Sequence, residues 1–258
     1  MDKLTIVKVG GNLIDDDAAL DRFLDSFANL KGKSLLVHGG GKLATDLATR
    51  LNIETKMVNG RRITDAENLK LVTMVYAGFV NKNIVARLSA RGKNAVGICG
   101  CDMNLITSQK RNHPQIDFGF VGDITKVQAD VLKGFIDKDL CFVVAPITHD
   151  GKGLLLNTNA DSVTTDLAIA LSEFYQVELI FSFEKAGVLK NPDNSADVID
   201  ILSEKEILNM QESGTIKAGM MPKTDNALKA ARGGVQKVII GNLELISSGI
   251  SNGTIITI

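Results

Sequence analysis

Residues 34–42 read SLLVHGGGK, an apolar run that ends in a histidine, three consecutive glycines and a lysine. The run is typical of a buried strand, and Leu43, Leu47 and Leu51 recur after it at helical spacing. Consecutive glycines cost conformational entropy, which favours a role that needs a bare backbone. Because free N–H groups at a helix start bind anions, the stretch predicts a strand, an anion-holding turn and a helix.

The same order of elements precedes this stretch. Residues 4–9, LTIVKV, form a short run rich in β-branched side chains, which indicates another strand. Leu20, Leu24 and Phe27 then recur at helical spacing before the second strand begins. This alternation predicts an α/β protein with a parallel sheet covered by helices.

The alternation is interrupted after the second helix. TKMVNGRRIT (55–64) places Asn59-Gly60 between two short runs, which is a hairpin signal, and residues 65–91 have the pattern of one long helix. The chain contains no low-complexity linker and no internal repeat. We therefore predict two lobes on one continuous sheet, the first over 1–175 and the second over 176–258.

The composition excludes several classes of protein. The 258 residues carry a net charge of −1 and include no Trp and only two Tyr, which argues against a nucleic-acid partner. Cys99, Cys101 and Cys141 have neither disulfide-framework nor zinc-site spacing, so we expect reduced thiols. No signal peptide or membrane span is recognisable, so we expect a cytoplasmic protein without a membrane partner.

Known phosphate-binding patterns compete for the glycine-rich turn. A P-loop requires G-x-x-x-x-G-K-[ST], and it fails because Leu43 follows Gly41-Lys42. The dinucleotide fingerprint G-x-G-x-x-[GA] matches residues 39–44, but the predicted hairpin tip occupies the place of its acid about 20 residues on. A dinucleotide-binding oxidoreductase stays open as an alternative.

A further pattern uses two glycine turns. Lys8-Val9-Gly10-Gly11-Asn12 ends the first strand in glycines as well, and the carboxyl ends of parallel strands meet where ligands bind in open α/β sheets. Lys8 interrupts an apolar strand, which leaves two interpretations: a solvent-facing lysine on an edge strand, or a lysine directed at a phosphate. Glycines that only make a tight turn at 39–41 would leave Gly10-Gly11 unexplained.

Five motifs follow one another along the chain: KVGGN (8–12), HGGG (38–41), NGRRIT (59–64), NTNAD (157–161) and GMMPK (219–223). Their order and spacing resemble the amino acid kinase family, and the resemblance runs from residue 4 to the C-terminus. It implies a three-layer αβα sandwich with a mainly parallel open sheet. The N-G-x-R-x-T hairpin is similar to that of the members that act on N-acylglutamate.

The reaction implied by the resemblance is ATP-dependent phosphorylation of the side-chain carboxylate of N-acetyl-L-glutamate. It gives N-acetyl-L-glutamyl 5-phosphate in arginine biosynthesis, with Mg²⁺ carried by the nucleotide and no dedicated protein metal site. A carboxylate is already ionised at pH 7, so no general base is needed. Alternatives that stay open are N-succinyl-L-glutamate as the substrate, a sibling kinase acting on another small anion such as UMP or carbamate, and a catalytically silent sensor.

The resemblance also implies roles at the reacting phosphoryl group. Lys8 and Lys223 would stabilise its charge, and Asp161 would orient both lysines. Without the resemblance, Asp161 could equally be an acid that favours a helix N-terminus. Gly11 and Gly40 would donate backbone N–H bonds to phosphoryl oxygens, and a side chain at either position would occupy the place of the phosphate.

The remaining roles concern the two substrates. Gly40 and Gly41 would touch the glutamate, Arg62 would bind its α-carboxylate, and Asn157 and Asn159, which alternate along a strand end, would face it together. The nucleotide would lie over the second lobe, against Gly10, Glu184, Lys185, Ala186, Gly187, Val188, Leu189, Thr215, Ile216, Lys217 and Gly219. The usual D-V-x-G of the family appears here as Glu184-Lys185-Ala186-Gly187, so this chain departs from the family pattern where the nucleotide contacts are expected.

The resemblance finally implies an assembly. The first strand begins near residue 4, whereas arginine-inhibited members carry an additional N-terminal helix, so we expect a homodimer that arginine does not inhibit. The helix over 65–91 would form the dimer seam, because its apolar positions are more numerous than one narrow stripe requires. A fully buried helix within a monomer is the alternative.

Overall fold

The computed structural model describes residues 1–58, 61–191, 197–216, 220–250 and 252–258. The strands are β1 (Lys3–Val9), β2 (Lys33–His38), β3 (Lys56–Val58), β4 (Arg61–Ile63), β5 (Ala95–Cys99), β6 (Ile106–Lys110), β7 (Gly122–Val127), β8 (Cys141–Ala145), β9 (Ile147–His149), β10 (Leu155–Asn157), β11 (Gln176–Ser182), β12 (Ile201–Ser203), β13 (Lys237–Gly241) and β14 (Thr254–Thr257). The helices are α1 (Gly11–Ile14), α2 (Asp17–Ala28), α3 (Gly41–Arg50), α4 (Ala66–Thr73), α5 (Asn81–Ala90), α6 (Ala129–Ile136), α7 (Ala160–Leu171), α8 (Glu204–Glu212), α9 (Met221–Arg232) and α10 (Leu243–Ser247).

The large sheet has the strand order β12-β14-β13-β11-β1-β2-β8-β5. Its neighbouring strands run parallel except for the antiparallel pair β13 and β14. The predicted mainly parallel sheet is therefore confirmed. Because β1 lies between β11 and β2, the interpretation of Lys8 as a solvent-facing residue on an edge strand is wrong.

Helices cover both faces of this sheet. Leu4 and Ile6 of β1 belong to a core packed against α6, α7 and α9, whereas Val7 and Val9 belong to a second core packed against α2, α4 and α5. Alternate residues of a strand point to opposite faces, so one strand supplies both cores. The result is the predicted αβα sandwich.

Two smaller sheets stand beside the large one. One has the order β10-β9-β6-β7, and the other is the β3–β4 hairpin, whose register pairs Lys56 with Ile63. The hairpin strands were predicted from the sequence, and the predicted tip, Asn59-Gly60, lies outside the described residues. A bridge between Thr64 and Gly119 connects the hairpin to the segment before β7.

The predicted helix over 65–91 is present, but its middle is not α-helical. A π-helical segment, Met74–Val80, joins α4 to α5, which no sequence signal indicated. In α3 the predicted apolar stripe is wrong in detail, because Ala44 and Ala48 are buried whereas Leu51 lies past the helix end and is 52% exposed. The short elements α1, α10 and β12 were not predicted either.

Both predicted lobes contribute to the large sheet. Among its described strands, four precede residue 176 and four begin at or after it, and β1 joins the two groups by pairing with β11. A lobe boundary at residue 175 stays a prediction. Within the described ranges, no helix combines the length and apolar character that crossing a membrane requires.

Candidate active site

A buried ion pair joins β1 to α7. The two-residue period of β1 puts Lys8 on the same face as Leu4 and Ile6, which is the face that α7 covers. Asp161 lies in the first turn of α7, and its Oδ1 is 2.8 Å from Lys8 Nζ. Each residue is only 7% exposed. The structure thus brings together two predicted catalytic residues from distant parts of the chain.

Lys223 adds a second cation to this pair. It lies in the first turn of α9, where the helix dipole favours acids rather than lysines. Burial lowers the pKa of Lys223 and neighbouring Lys8 lowers it further, while Asp161 and Glu184 act in the opposite direction. Lys8 and Lys223 therefore both lie close to Asp161, and Glu184 supplies a second negative charge near Lys223.

The two glycine turns lie at one edge of the sheet. Val9 pairs with His38 in parallel register, so the residues after both strands leave the sheet side by side. A Cβ built on Gly39 would lie 3.9 Å from the backbone nitrogen of Gly11. None of the described residues accepts a hydrogen bond from the backbone N–H groups of Gly11 or Gly40. These donors are available to an anion.

The reasons for glycine differ between the two turns. A Cβ at Gly11 would meet no atom within 4 Å, so the space there is open. Gly40 has φ +148°, and its Cβ would lie 3.0 Å from Cδ1 of Tyr76. Packing against this ring is therefore a reason for glycine at position 40, and the expectation that a side chain there would occupy the place of a phosphate stays a prediction.

A cleft of about 470 Å³ opens beside the second glycine turn. Its walls come from the hairpin, the segment before β7 and the turn between β10 and α7. The lining residues are Gly39, Gly40, Gly41, Lys42, Thr45, Asp46, Met57, Arg61, Arg62, Tyr76, Arg111, Val121, Pro146, Asn157, Thr158, Asn159 and Ala160. The predicted substrate-binding residues therefore all line one cleft.

Arg62 is the buried cation of this cleft. Its Nη2 donates to the carbonyl oxygen of Gly41 at 3.0 Å and to Oγ1 of Thr45 at 2.7 Å, and its Nη1 donates to Oγ1 of Thr55 at 3.1 Å. All three acceptors are neutral, and no carboxylate among the described residues forms an ion pair with this guanidinium. A buried guanidinium held by neutral oxygens is suited to a carboxylate ligand.

The two predicted asparagines line the cleft from different structural elements. Asn157 ends β10, and its Nδ2 donates to Oγ1 of Thr64 at 3.0 Å, which leaves its carbonyl oxygen for other partners. Asn159 is not a strand residue, so the prediction of alternation along one strand is wrong. It is the N-cap of α7, where its Oδ1 accepts from the N–H of Ser162 at 3.0 Å, and its amide N–H₂ stays available.

The predicted nucleotide residues fall into exposed and buried groups. Glu184 and Lys185 are exposed after β11, whereas Val188, Leu189 and Ile216 are buried. Gly187 is required by packing, because a Cβ there would lie 2.6 Å from Cγ1 of Val198. The backbone N–H of Val188 donates to Oγ1 of Thr254 at 2.8 Å, which anchors the segment. Lys217 and Gly219 lie outside the described residues.

Several residues of the cleft were not predicted from the sequence. Tyr76 contacts Gly40 from the π-helical segment, and Thr45 and Thr55 hold Arg62. Arg111 also lines the cleft, with its guanidinium paired to the carboxylate of Asp123. No motif or period in the sequence indicates these positions, because each reaches the cleft through tertiary packing.

The comparison with known protein families identifies the fold. A model described as the amino acid kinase family matches residues 3–242, which is most of the chain. The chain belongs to the amino acid kinase family. The resemblance inferred from the five motifs is therefore confirmed, and membership in a kinase family rules out the dinucleotide-binding oxidoreductase.

Individual relatives of the family are similar over nearly the whole chain. The acetylglutamate kinase of Phocaeicola vulgatus is 49% identical over 255 residues, which are 99% of this chain and 98% of that protein. The acetylglutamate kinase of Cytophaga hutchinsonii is 48% identical and covers 98% of both proteins. Among solved structures, smu.665 from Streptococcus mutans UA159 has a TM-score of 0.83 at 26% identity and covers 98% of each chain.

Proposed function

We propose that this chain is an acetylglutamate kinase. It transfers the γ-phosphoryl group of MgATP to the side-chain carboxylate of N-acetyl-L-glutamate in arginine biosynthesis, and the product is N-acetyl-L-glutamyl 5-phosphate. Relatives of that name at 49% and 48% identity support the assignment. The observation that carries it is Arg62, a buried cation held by neutral oxygens next to a turn with free N–H groups.

The acylglutamate would bind in the cleft. Its α-carboxylate would pair with Arg62 through two parallel hydrogen bonds, the geometry that a guanidinium favours. The backbone of Gly40 and Gly41 would contact the glutamate chain, and Asn157 and Asn159 would bind its amide with the carbonyl oxygen and N–H₂ group that stay available. In this pose the side-chain carboxylate points toward the two glycine turns.

Phosphoryl transfer would occur between these turns. It requires alignment and charge neutralisation more than covalent chemistry. The N–H groups of Gly11 and Gly40 would hold phosphoryl oxygens, while Lys8 and Lys223 would balance the charge that develops during transfer. Asp161 would position Lys8 through the 2.8 Å ion pair. The acceptor carboxylate is already ionised at neutral pH, so no side chain has to remove a proton.

The nucleotide would lie against the second lobe, over residues 176–258. Its contacts would come from Gly10, Glu184, Lys185, Ala186, Gly187, Val188, Leu189, Thr215, Ile216, Lys217 and Gly219. Because the Val188, Leu189 and Ile216 side chains are buried, we expect the nucleotide to meet their backbone. Mg²⁺ enters with the nucleotide phosphates, which suits its preference for phosphate and water oxygens.

We also propose a homodimer that forms through the helix over 65–91. Met74 and Phe79 lie in its π-helical segment, with exposures of 58% and 66%. Large exposed apolar side chains on one helical segment are a common feature of protein interfaces. We place the enzyme in the cytoplasm, where ATP and biosynthetic intermediates are available, with no nucleic-acid or membrane partner.

The test is an ATP-dependent assay in which hydroxylamine traps an acyl phosphate. N-acetyl-L-glutamate, N-succinyl-L-glutamate, free glutamate and UMP are compared side by side, and ADP release is measured in parallel. Hydroxamate from N-acetyl-L-glutamate with matching ADP supports the proposal. Hydroxamate from N-succinyl-L-glutamate alone would keep the reaction and change the acyl group. No hydroxamate from any substrate would refute the acylglutamate assignment.

A matched pair of variants links this activity to the cleft. Arg62→Met removes the buried guanidinium, and Arg50→Met removes an exposed one at the end of α3. We expect hydroxamate formation at low substrate concentration to fall only in Arg62→Met. Equal rates in the two variants would contradict the proposed site.

A further inference from the structure

A buried hydrogen-bonded pair lies directly beneath the second glycine turn. His38 is the last residue of β2 and is fully buried, and its Nδ1 lies 2.8 Å from the carbonyl oxygen of Gly39. Its Nε2 lies 3.1 Å from Nδ2 of Asn81, the first residue of α5. Neither side chain lines the cleft, and the proposed reaction uses neither.

The partners of Asn81 determine which nitrogen of His38 carries the proton. Asn81 Nδ2 donates to the carbonyl oxygen of Val143 at 2.9 Å, and its Oδ1 accepts from Lys82 Nζ at 3.1 Å. The amide is therefore oriented with its N–H₂ group toward the imidazole, so Nε2 of His38 accepts. A neutral imidazole has one donor and one acceptor nitrogen, so Nδ1 donates to Gly39. Burial, which lowers the pKa of His38 to about 4, keeps the ring neutral.

The bond to Gly39 also determines the direction of the next N–H group. The carbonyl of Gly39 and the N–H of Gly40 belong to one peptide unit, and no cis peptide bond occurs among the described residues. In a planar trans peptide the C=O and N–H bonds point in opposite directions. Because His38 draws the carbonyl oxygen into the core, the N–H of Gly40 points away from the core.

We propose that His38 and Asn81 are a positioning pair that aims the Gly40 N–H at the transferring phosphoryl group. This inference rests on the proposed function, in which that N–H holds a phosphoryl oxygen. Gly40 needs such a constraint, because a glycine can adopt many backbone conformations and this one has φ +148°. The pair holds the turn from below, while Tyr76 packs against it from the side.

A second glycine supports the role of Asn81. Gly97 lies in β5, and a Cβ built there would be 1.9 Å from Oδ1 of Asn81 and 2.8 Å from Nζ of Lys82. Glycine inside a strand weakens the strand, and it often marks a close approach. Here it makes room for the amide that orients His38. The same region carries the π-helical segment, a feature that is frequent near functional sites.

The test measures kcat and KM for three variants and one control. His38→Phe keeps the ring volume and removes both hydrogen bonds, and His38→Asn keeps a donor close to the Gly39 carbonyl. Gly97→Ala displaces Asn81 and leaves His38 intact. The control is Tyr175→Phe, which deletes a partly buried 2.8 Å hydrogen bond to Asp137 on the opposite face of the sheet. Thermal unfolding of each variant shows that the protein is folded at the assay temperature.

We expect His38→Phe to lower kcat about 10- to 100-fold, because losing one preorganised donor costs about 10²–10³ in kcat and misaiming it costs less. KM for the acylglutamate should change less than kcat, and His38→Asn should recover most of the loss. Gly97→Ala should lower kcat in the same sense, and Tyr175→Phe should lower only the unfolding temperature. The ¹⁵N spectrum of the three histidines should show one with Nδ1 protonated and Nε2 unprotonated.

Two results would overturn the inference, and they are distinguishable. If the unaltered enzyme is active and folded His38→Phe keeps kcat within about twofold, which is less than misaiming a donor should cost, the positioning role is wrong while the proposed function stands. If the unaltered protein phosphorylates no acylglutamate, the proposed function fails and this inference fails with it.

Discussion

Replacing Asp161 by asparagine removes the negative charge that pairs with Lys8 and also lies close to Lys223. The substitution keeps the size and shape of the side chain. Lys8 Nζ lies 2.8 Å from Asp161 Oδ1, and both residues are 7% exposed, so water cannot replace the lost charge. Asp161→Asn therefore leaves a buried ammonium without its counterion and close to a second lysine.

The expected loss of stability follows from this geometry. With an effective dielectric constant of about 20, unit charges at 2.8 Å attract each other by about 6 kcal/mol before desolvation is counted. Removing one partner of a buried pair costs about 3–5 kcal/mol, because the remaining charge stays buried. We expect Asp161→Asn to lower the free energy of unfolding by that amount. Because Lys8 is no longer positioned, kcat should also fall about 10²-fold or more.

Urea unfolding of a double-mutant cycle tests this reasoning. The set is Asp161→Asn, Lys8→Met and the double variant, with Asp166→Asn as a control on the same helix. Asp166 pairs with Lys229, whose side chain is 54% exposed, and a surface pair of this kind contributes about 0–1 kcal/mol. The double variant should be more stable than Asp161→Asn by about 1 kcal/mol or more and should stay inactive, because it no longer buries an unpaired ammonium.

Two outcomes would refute the argument. The first is a free energy of unfolding for Asp161→Asn that lies within about 1 kcal/mol of the value for the unaltered protein, as expected only for a solvated pair. The second is a double variant that is no more stable than Asp161→Asn, which would mean that burying an unpaired Lys8 does not lower the free energy of unfolding.

Three further predictions concern the cleft, the pH dependence and the thiols. Arg62→Met should raise KM for the acylglutamate about thirtyfold or more, and an unchanged KM would contradict this. The free energy of unfolding measured in urea should change by about 1 kcal/mol or less, because the substitution leaves no carboxylate among the described residues unpaired. Burial lowers the pKa of Lys223, so in a pH–rate profile kcat should begin to decline, as the pH is raised, before pH 10.5, the pKa of an ordinary lysine. Glu184→Gln removes a nearby negative charge and should move this decline to lower pH. At pH values between the lowered pKa of folded Lys223 and 10.5, the unfolded chain binds more protons at this lysine than the folded chain does. The free energy of unfolding should therefore rise with pH in this range, and Lys223→Met should abolish the rise. Burial raises the pKa of the Cys99 thiol, whereas Cys101 is partly exposed, so iodoacetamide should alkylate Cys101 first, and Cys101→Ser should remove the fastest phase seen by mass spectrometry.

Much of the fold could be predicted because it depends on how apolar residues are spaced over a few positions of the chain. The strands β1 and β2, the helices α2 and α3 and the hairpin all follow from local spacing of apolar residues and from turn residues. The π-helical segment could not be predicted in this way, because its apolar residues have the pattern of an ordinary helix. Asn159 was misplaced for a related reason, since a strand end and a helix N-cap both accept asparagine.

Only part of the candidate site could be predicted from the sequence. Glycine turns are visible in a sequence because few other residues permit their backbone conformations, and Lys8 is visible because it interrupts an apolar strand. Thr45, Thr55 and Tyr76 are not visible, because threonine on a helix or loop and tyrosine in a buried helix are ordinary in sequence terms. Their contacts with Arg62 and Gly40 depend on how helices and hairpin pack.

By itself, the sequence determined the alternation of the first strands and helices, the two bare glycine turns and the residue types that suit phosphoryl transfer. These depend on dihedral preferences and periods that act within a few residues. The tertiary structure alone decided that Lys8 meets Asp161, that neutral oxygens hold the buried Arg62, and that His38 faces Asn81. Those contacts join segments far apart in the chain, and they exist only because sheet register and helix packing bring the segments together.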